Sequence, residues 1–117
     1  MEDLKNKIKN VVVGLTKLVE FVPKTETELD QWYEQKNSFL NEVDFPEGLR
    51  GPGFLYYYLA DADIRLKEEE YAEWQNRRVK SLLQLLNQGV IPTDKEIVEN
   101  EKLSELADEL GYRGGDL

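Results

Sequence analysis

The sequence predicts an all-α protein of four helices, and three observations point to this. Apolar residues recur at steps of three and four along most of the chain, which is the spacing of one face of a helix. Pro and Gly gather in short stretches that bound the periodic segments. Two of these segments begin with a Thr followed three residues later by a Glu, which is the spacing of a capping box.

The first predicted helix covers residues 2–22. One face carries apolar residues that step by four, three, four, three and four: Leu4, Ile8, Val11, Leu15, Leu18 and Val22. The β-branched run at 11–13, followed by Gly14, lowers helix propensity and leaves a strand as the alternative there. Pro23 ends the element because it lacks a backbone N–H donor.

The second predicted helix covers 26–43, with Thr25 and Glu28 at the capping-box spacing. The stretch 44–53 then holds two Pro and three Gly, which makes it the strongest interruption in the chain. We interpret it as a loop that is longer than most connections between helices and that packs down through Phe45 and Leu49.

The third predicted helix covers about 54–88, where the chain has neither Gly nor Pro. Its 35 residues would span about 52 Å at 1.5 Å per residue. Its apolar residues form two stripes on rotated faces, so either the helix changes partners midway or it bends near 67–70. We prefer one long helix, against which the first helix packs, and expect an elongated bundle or a helical dimer.

The last predicted helix covers about 94–110, with Thr93 and Glu96 as its capping box. Gly89 ends the preceding helix in the position that glycine favours just after a helix. The expected organisation is a single helical domain over 1–110 and a frayed tail over 111–117.

Composition excludes several classes of chemistry. The 117 residues include 15 Lys and Arg, 24 Asp and Glu, no Cys and no His, and the net charge is −9. Disulfides, zinc fingers and Cys or His nucleophiles are therefore impossible. The sequence has no apolar run long enough to span a membrane and no signal-peptide pattern at its start, so we expect a cytoplasmic protein without a membrane partner.

The charges are unevenly distributed. Acid is concentrated in 25–47, 61–73 and 94–110, with net charges of −6, −4 and −5. Such a balance disfavours direct binding to a nucleic-acid backbone, which requires Lys and Arg. Arg77, Arg78 and Lys80 lie near Trp74, a combination that can stack on bases, but we expect these cations to pair with acids of the same chain.

An aromatic and acidic set provides the candidate interaction residues. Three consecutive Tyr cannot all face one core on a helix, because each is rotated about 100° from the last, so at least one faces outward. Exposed Tyr and Trp are favoured anchors at protein interfaces. The candidates are Tyr56, Tyr57, Tyr58, Trp74, Glu69, Glu70 and Glu73.

One pattern of acidic residues suggests that the protein could instead be an enzyme. Glu70-x-x-Glu73 resembles half of the paired E-x-x-E and E-x-x-D pattern of the all-α nucleotide pyrophosphohydrolases. Glu105-x-x-Asp108 would be the other half. The resemblance implies a Mg²⁺-dependent hydrolase in which the four carboxylates converge on a shared point.

The function predicted from these observations is that of a small, acidic, non-enzymatic interaction or regulatory protein. It would dock on a basic surface of a protein partner, without a cofactor or a metal. A self-assembling structural component that associates through the long helix is the first alternative, and the Mg²⁺-dependent hydrolase is the second.

Overall fold

The described part of the chain is built from α-helices alone. The computed structural model describes the backbone of residues 2–49 and 53–109 and the side chains of 3–49 and 53–104. In chain order the helices are α1 (Glu2–Glu20), α2 (Glu26–Glu42), α3 (Phe54–Ala60), α4 (Ala62–Lys67), α5 (Glu69–Asn87) and α6 (Asp94–Glu109). The all-α class is confirmed. The count of four helices is wrong, because the stretch predicted as one long helix is three helices in these described ranges.

The long predicted helix is broken at Asp61 and at Glu68. Asp61 has φ −101° and ψ 19°, and Glu68 has an extended backbone with φ −124° and ψ 105°. The breaks turn both apolar stripes toward one core, so that Leu55 on α3 and Leu82 on α5 are both buried. A straight rod of about 52 Å would also exceed the longest dimension of the molecule, 43 Å.

This correction removes the reason for expecting an elongated bundle or a helical dimer. That expectation depended on a long helix with an unmatched stripe. The two stripes are instead covered within the molecule, whose dimensions are 43 × 38 × 23 Å. The bend considered near 67–70 corresponds to the second of the two breaks, at Glu68.

The core forms where α1 packs against α5 and α2. The predicted stripe of α1 supplies it with Ile8, Val11, Leu15 and Leu18, all buried. The two ends of the stripe, Leu4 and Val22, are exposed. The strand alternative for 11–13 is wrong, since α1 continues through these residues.

Helix ends follow the predicted local chemistry. Thr25 Oγ1 accepts a hydrogen bond from the Glu28 backbone N–H at 3.1 Å. At α6 the capping box is reciprocal: Thr93 Oγ1 accepts from the Glu96 N–H at 3.2 Å, and the Thr93 N–H donates to Glu96 Oε1 at 3.0 Å. The box at Thr93 is confirmed in full. At α2 the Thr25 cap is confirmed, but the Glu28 carboxylate accepts from the Lys24 N–H, at 2.7 Å, rather than from that of Thr25.

Gly89 ends α5 with a Schellman motif. Its φ is +82°, in the left-handed region that glycine adopts without strain. The Gly89 N–H donates to the Leu86 carbonyl oxygen, and the Val90 N–H donates to that of Leu85. These two bonds satisfy carbonyl groups that the helix end would otherwise leave unpaired, as the position of Gly89 in the sequence predicts.

The loop after α2 packs against the helices. The Phe45 ring makes an edge-to-face contact with Phe39, with ring centroids 5.2 Å apart, and Leu49 is buried. The expectation that the loop 44–53 packs down through Phe45 and Leu49 is confirmed for its described residues 44–49. The predicted tail at 111–117 lies outside the described residues. Within the described ranges, no helix has the length and apolar character needed to cross a bilayer.

Candidate protein-interaction surface

An open depression at the start of α5 brings acidic and aromatic side chains together. Its volume is about 550 Å³, and its lining residues are Glu68, Glu69, Glu70, Tyr71 and Trp74. We call it the acidic–aromatic surface. The three Glu are exposed, and the two aromatic side chains are half-buried. Because α5 begins at Glu69, carboxylates in this first turn also interact favourably with the helix dipole.

Trp74 is held in place by aromatic and cationic neighbours. Its ring centroid lies 6.5 Å from that of Phe54 in an edge-to-face arrangement and 5.5 Å from that of Tyr71. The Arg78 guanidinium lies 4.5 Å from the Trp74 ring centroid, and Arg78 Nε donates to Glu101 Oε2 at 3.0 Å. A part-exposed indole fixed in this way loses little conformational entropy when it contacts a partner.

Tyr71 is fixed by a hydrogen bond across the break in the predicted long helix. Its hydroxyl donates to Asp61 Oδ2 at 2.6 Å. Desolvation by burial, together with the hydrogen bond to Asp61, raises the pKa of Tyr71 to about 12. The hydroxyl is therefore neutral at physiological pH, and its ring stays beside Trp74.

A buried polar cluster supports this surface from below. Gln75 is fully buried and donates from Nε2 to the Tyr71 hydroxyl oxygen at 3.1 Å. Arg65 lies between two rings, 4.0 Å from the Tyr58 centroid and 5.2 Å from that of Trp32. Burial lowers the pKa of Arg65. Sequence reasoning missed this cluster, and only the polar identity of Gln75 within a helical stripe could have signalled it.

The three consecutive tyrosines divide between surface and core. Tyr56 and Tyr57 are 60% and 56% exposed, and their rings pack edge to face at 5.4 Å. Tyr58 is 2% exposed and contacts the Trp32 ring. The expectation that at least one of the three faces outward is confirmed. Tyr58, however, lies in the core and offers no surface to a partner.

Of the four carboxylates in the metal hypothesis, the structure describes the side chains of only two. Glu70 and Glu73 are exposed on α5, and Glu73 does not line the acidic–aromatic surface. The side chains of Glu105 and Asp108 lie outside the described ones. Among the side chains that the structure describes, no three carboxylates are grouped so that they could hold a metal ion.

A second acidic surface follows the outer side of α2. Glu26, Asp30 and Glu34 are exposed at successive steps of four, and Glu42 is exposed near the end of the helix. We call these four residues the acidic row of α2. Within the described ranges, none of them forms an ion pair with a cation. Like charges four residues apart weaken a helix by a few tenths of a kcal/mol.

Two of the basic residues near Trp74, Arg77 and Arg78, share one carboxylate of α6. Arg78 Nε lies 3.0 Å from one oxygen of Glu101, and Arg77 Nε lies 3.7 Å from the other. Glu101 is only 9% exposed. The expected pairing with acids of the same chain is thus found for both arginines, although the partner is on α6 rather than on the preceding turn.

No protein-family model, no curated protein and no solved structure matches this chain.

Proposed function

We propose that this protein is a small, non-enzymatic interaction protein that docks on a basic surface of a partner protein through the acidic–aromatic surface. The observation that carries the proposal is the grouping of three exposed carboxylates beside the two part-exposed rings of Tyr71 and Trp74 in one open depression. Trp and Tyr dominate the binding energy of many interfaces, and carboxylates around them select a cationic partner.

The rings of Tyr71 and Trp74 and the neighbouring carboxylates have complementary roles in this docking. A Lys or Arg of the partner can lie against the aromatic rings, an interaction worth roughly 0.5–2 kcal/mol, while its charge pairs with Glu69 or Glu70. The rings need no rearrangement, because Phe54 and Asp61 already hold them. This preorganisation limits the entropy lost on binding.

The acidic row of α2 supports the proposal through long-range attraction. Glu26, in the first turn, interacts favourably with the helix dipole, but the like charges that follow it at steps of four do not stabilise the helix. Together with a net charge of −9, the row creates a negative field that accelerates the approach of a basic partner at low ionic strength. We assign this row a role in association rate, and the acidic–aromatic surface a role in affinity.

The direct test is capture of the partner from the host lysate with three forms of the protein. The first is the wild type. The second is the triple variant Glu68→Gln, Glu69→Gln and Glu70→Gln. The third, Glu26→Gln, Asp30→Asn and Glu34→Gln, removes the same charge from α2 and serves as the matched control. Affinity and association rate are then measured for each form at several salt concentrations.

The proposal expects the surface variant to lose at least tenfold in affinity, with a faster dissociation rate. The α2 variant should change mainly the association rate and its salt dependence. Trp74→Ala should weaken binding by about 2 kcal/mol, and Trp74→Phe by less. A captured partner that binds all variants equally, or with an affinity independent of ionic strength, would contradict the proposal.

A further inference from the structure

A second cavity, separate from the acidic–aromatic surface, lies between α2, the loop that follows it, and α3. Its volume is about 340 Å³, within the range of pockets that hold small molecules. The described residues that line it are Lys36, Leu40, Phe45, Leu49, Leu55, Tyr56, Leu59 and Ala60. Most of these side chains are apolar, and Tyr56 and Ala60 are exposed, which places them at its mouth.

Among the described residues of this lining, Lys36 is the one that carries a charge. It is half-buried, and its Nζ lies 5.0 Å from the centroid of the Tyr33 ring. No carboxylate lies within ion-pair distance of Lys36 among the residues that the structure describes.

The combination of an apolar wall and an ammonium group without a carboxylate partner selects one class of ligand. We propose that this cavity binds a small amphiphilic carboxylate, that is, an aliphatic chain of about eight to ten carbons with a terminal carboxylate. The chain would pack among Leu40, Leu55 and Leu59, where each methylene removed from water favours binding. The carboxylate would accept a charge-assisted hydrogen bond from Lys36 Nζ.

The ligand class follows from the charges as much as from the shape. An amphiphile with a cationic head would meet Lys36 with a like charge and is disfavoured. An uncharged chain would gain the apolar contacts but not the ion pair with Lys36. The proposal does not depend on the proposed function, since it uses α2 and α3 and none of the residues of the acidic–aromatic surface.

The test uses decanoate as the probe, at concentrations below its micelle formation. Calorimetry should show saturable binding of one decanoate per chain. Amide signals that shift in heteronuclear NMR spectra should belong to α2, α3 and residues 43–49. Lys36→Gln should weaken decanoate binding about tenfold. It should change the binding of 1-decanol much less, because the alcohol can accept a hydrogen bond from either side chain but has no charge to pair with Lys36.

Two further variants separate the proposal from general effects. Lys24→Gln removes the same charge from an exposed position outside the cavity, and it should bind decanoate like the wild type. Ala60→Trp places a bulky ring at the mouth and should abolish the binding of both probes while the unfolding midpoint stays unchanged. Absence of saturable binding, equal affinity for decanoate and decanol, or shifts confined to other helices would overturn the proposal.

Discussion

The side-chain oxygen of Gln75, a fully buried residue, accepts a hydrogen bond from Arg65 Nη1 at 2.6 Å. The same Nη1 donates to the backbone oxygen of Tyr58, also at 2.6 Å. These bonds join α3, α4 and α5 across both breaks in the predicted long helix. Among the described residues, no buried side-chain nitrogen or oxygen lacks a hydrogen-bond partner. The cluster therefore sets the angle between α4 and α5 without leaving a buried polar atom unpaired.

This cluster predicts a strong coupling between Arg65 and Gln75. Gln75→Leu leaves Arg65 with one fewer acceptor in a buried site, and we expect it to lower the free energy of unfolding by about 1–3 kcal/mol. In a double-mutant cycle with Arg65→Met, the coupling energy should be about 0.5–3 kcal/mol. Urea unfolding of the four proteins measures it. Additivity within about 0.3 kcal/mol would show that the contact contributes little.

The close approach of α1 and α2 predicts that Gly14 cannot be replaced without a cost in stability. A β-carbon at this position would overlap the ring of Phe39. Although Ala favours helices over Gly by about 1 kcal/mol, we expect Gly14→Ala to destabilise the protein by about 1–3 kcal/mol. Thermal unfolding tests this. Phe39→Leu alone loses packing, but added to Gly14→Ala it should recover part of the stability. If Gly14→Ala proved stabilising, the two helices would have to pack further apart than they do here.

The hydrogen bond from Tyr71 to Asp61 predicts a loss of stability at high pH. The folded protein holds the pKa of Tyr71 at about 12, against the ordinary value of 10.0. Folding therefore favours the protonated hydroxyl. This contribution is complete below pH 10 and is lost as the pH rises toward 12. The difference in free energy of unfolding between the wild type and Tyr71→Phe should accordingly be largest below pH 10 and should shrink above it.

The matched control for this pH series is Tyr57→Phe, which removes the hydroxyl of an exposed tyrosine. Its unfolding curve should stay parallel to that of the wild type over the same pH range. A constant difference between the wild type and Tyr71→Phe up to pH 12 would mean that the hydroxyl of Tyr71 is not protected as the geometry indicates.

The cap of α2 predicts that a Thr→Ala substitution changes the stability of the protein differently at positions 25 and 27. Thr25 precedes α2 and accepts a backbone hydrogen bond, whereas Thr27 lies within the first turn and is exposed. Thr25→Ala should destabilise the protein by about 1 kcal/mol. Thr27→Ala should be neutral or stabilising by a few tenths of a kcal/mol, since Ala has the higher helix propensity. Chemical denaturation of both variants compares the two positions directly, and equal effects would contradict the role of Thr25 as a cap.

The parts of the fold that could be predicted are those that depend on sequence patterns between neighbouring residues. The middle of the α1 stripe and the threonine caps at Thr25 and Thr93 depend on short-range patterns, and these were found where expected. The break at Asp61 has no such signal, because no Gly or Pro occurs between Phe54 and Gln88. For the break at Glu68 the only signal was the change of apolar face near 67–70, which one long helix with two partners could also explain. Both breaks arise from contacts between residues far apart in the chain. These contacts stabilise three separate helices more than they would stabilise one continuous helix.

The candidate surface was predictable to a similar extent. Trp74, Glu69 and Glu70 were selected from composition and lie together on the acidic–aromatic surface. Glu68 and Tyr71 complete that surface and were not selected. Tyr58 was also selected, but it is buried beside Trp32 of α2. Which of the three tyrosines faces the core depends on how α3 packs against the other helices, and the sequence alone does not show this. Lys36 became notable only once the cavity beside it was known.

By itself, the sequence determined the helical class, the starts of α2 and α6 at their threonine caps, and the absence of Cys and His chemistry. These properties depend on neighbouring residues or on composition. Tertiary structure alone decided where the long apolar stretch breaks, which tyrosine is buried, and which charges are paired. Each of these depends on contacts between residues far apart in the chain, and their free energies outweigh the local preferences of any one helix.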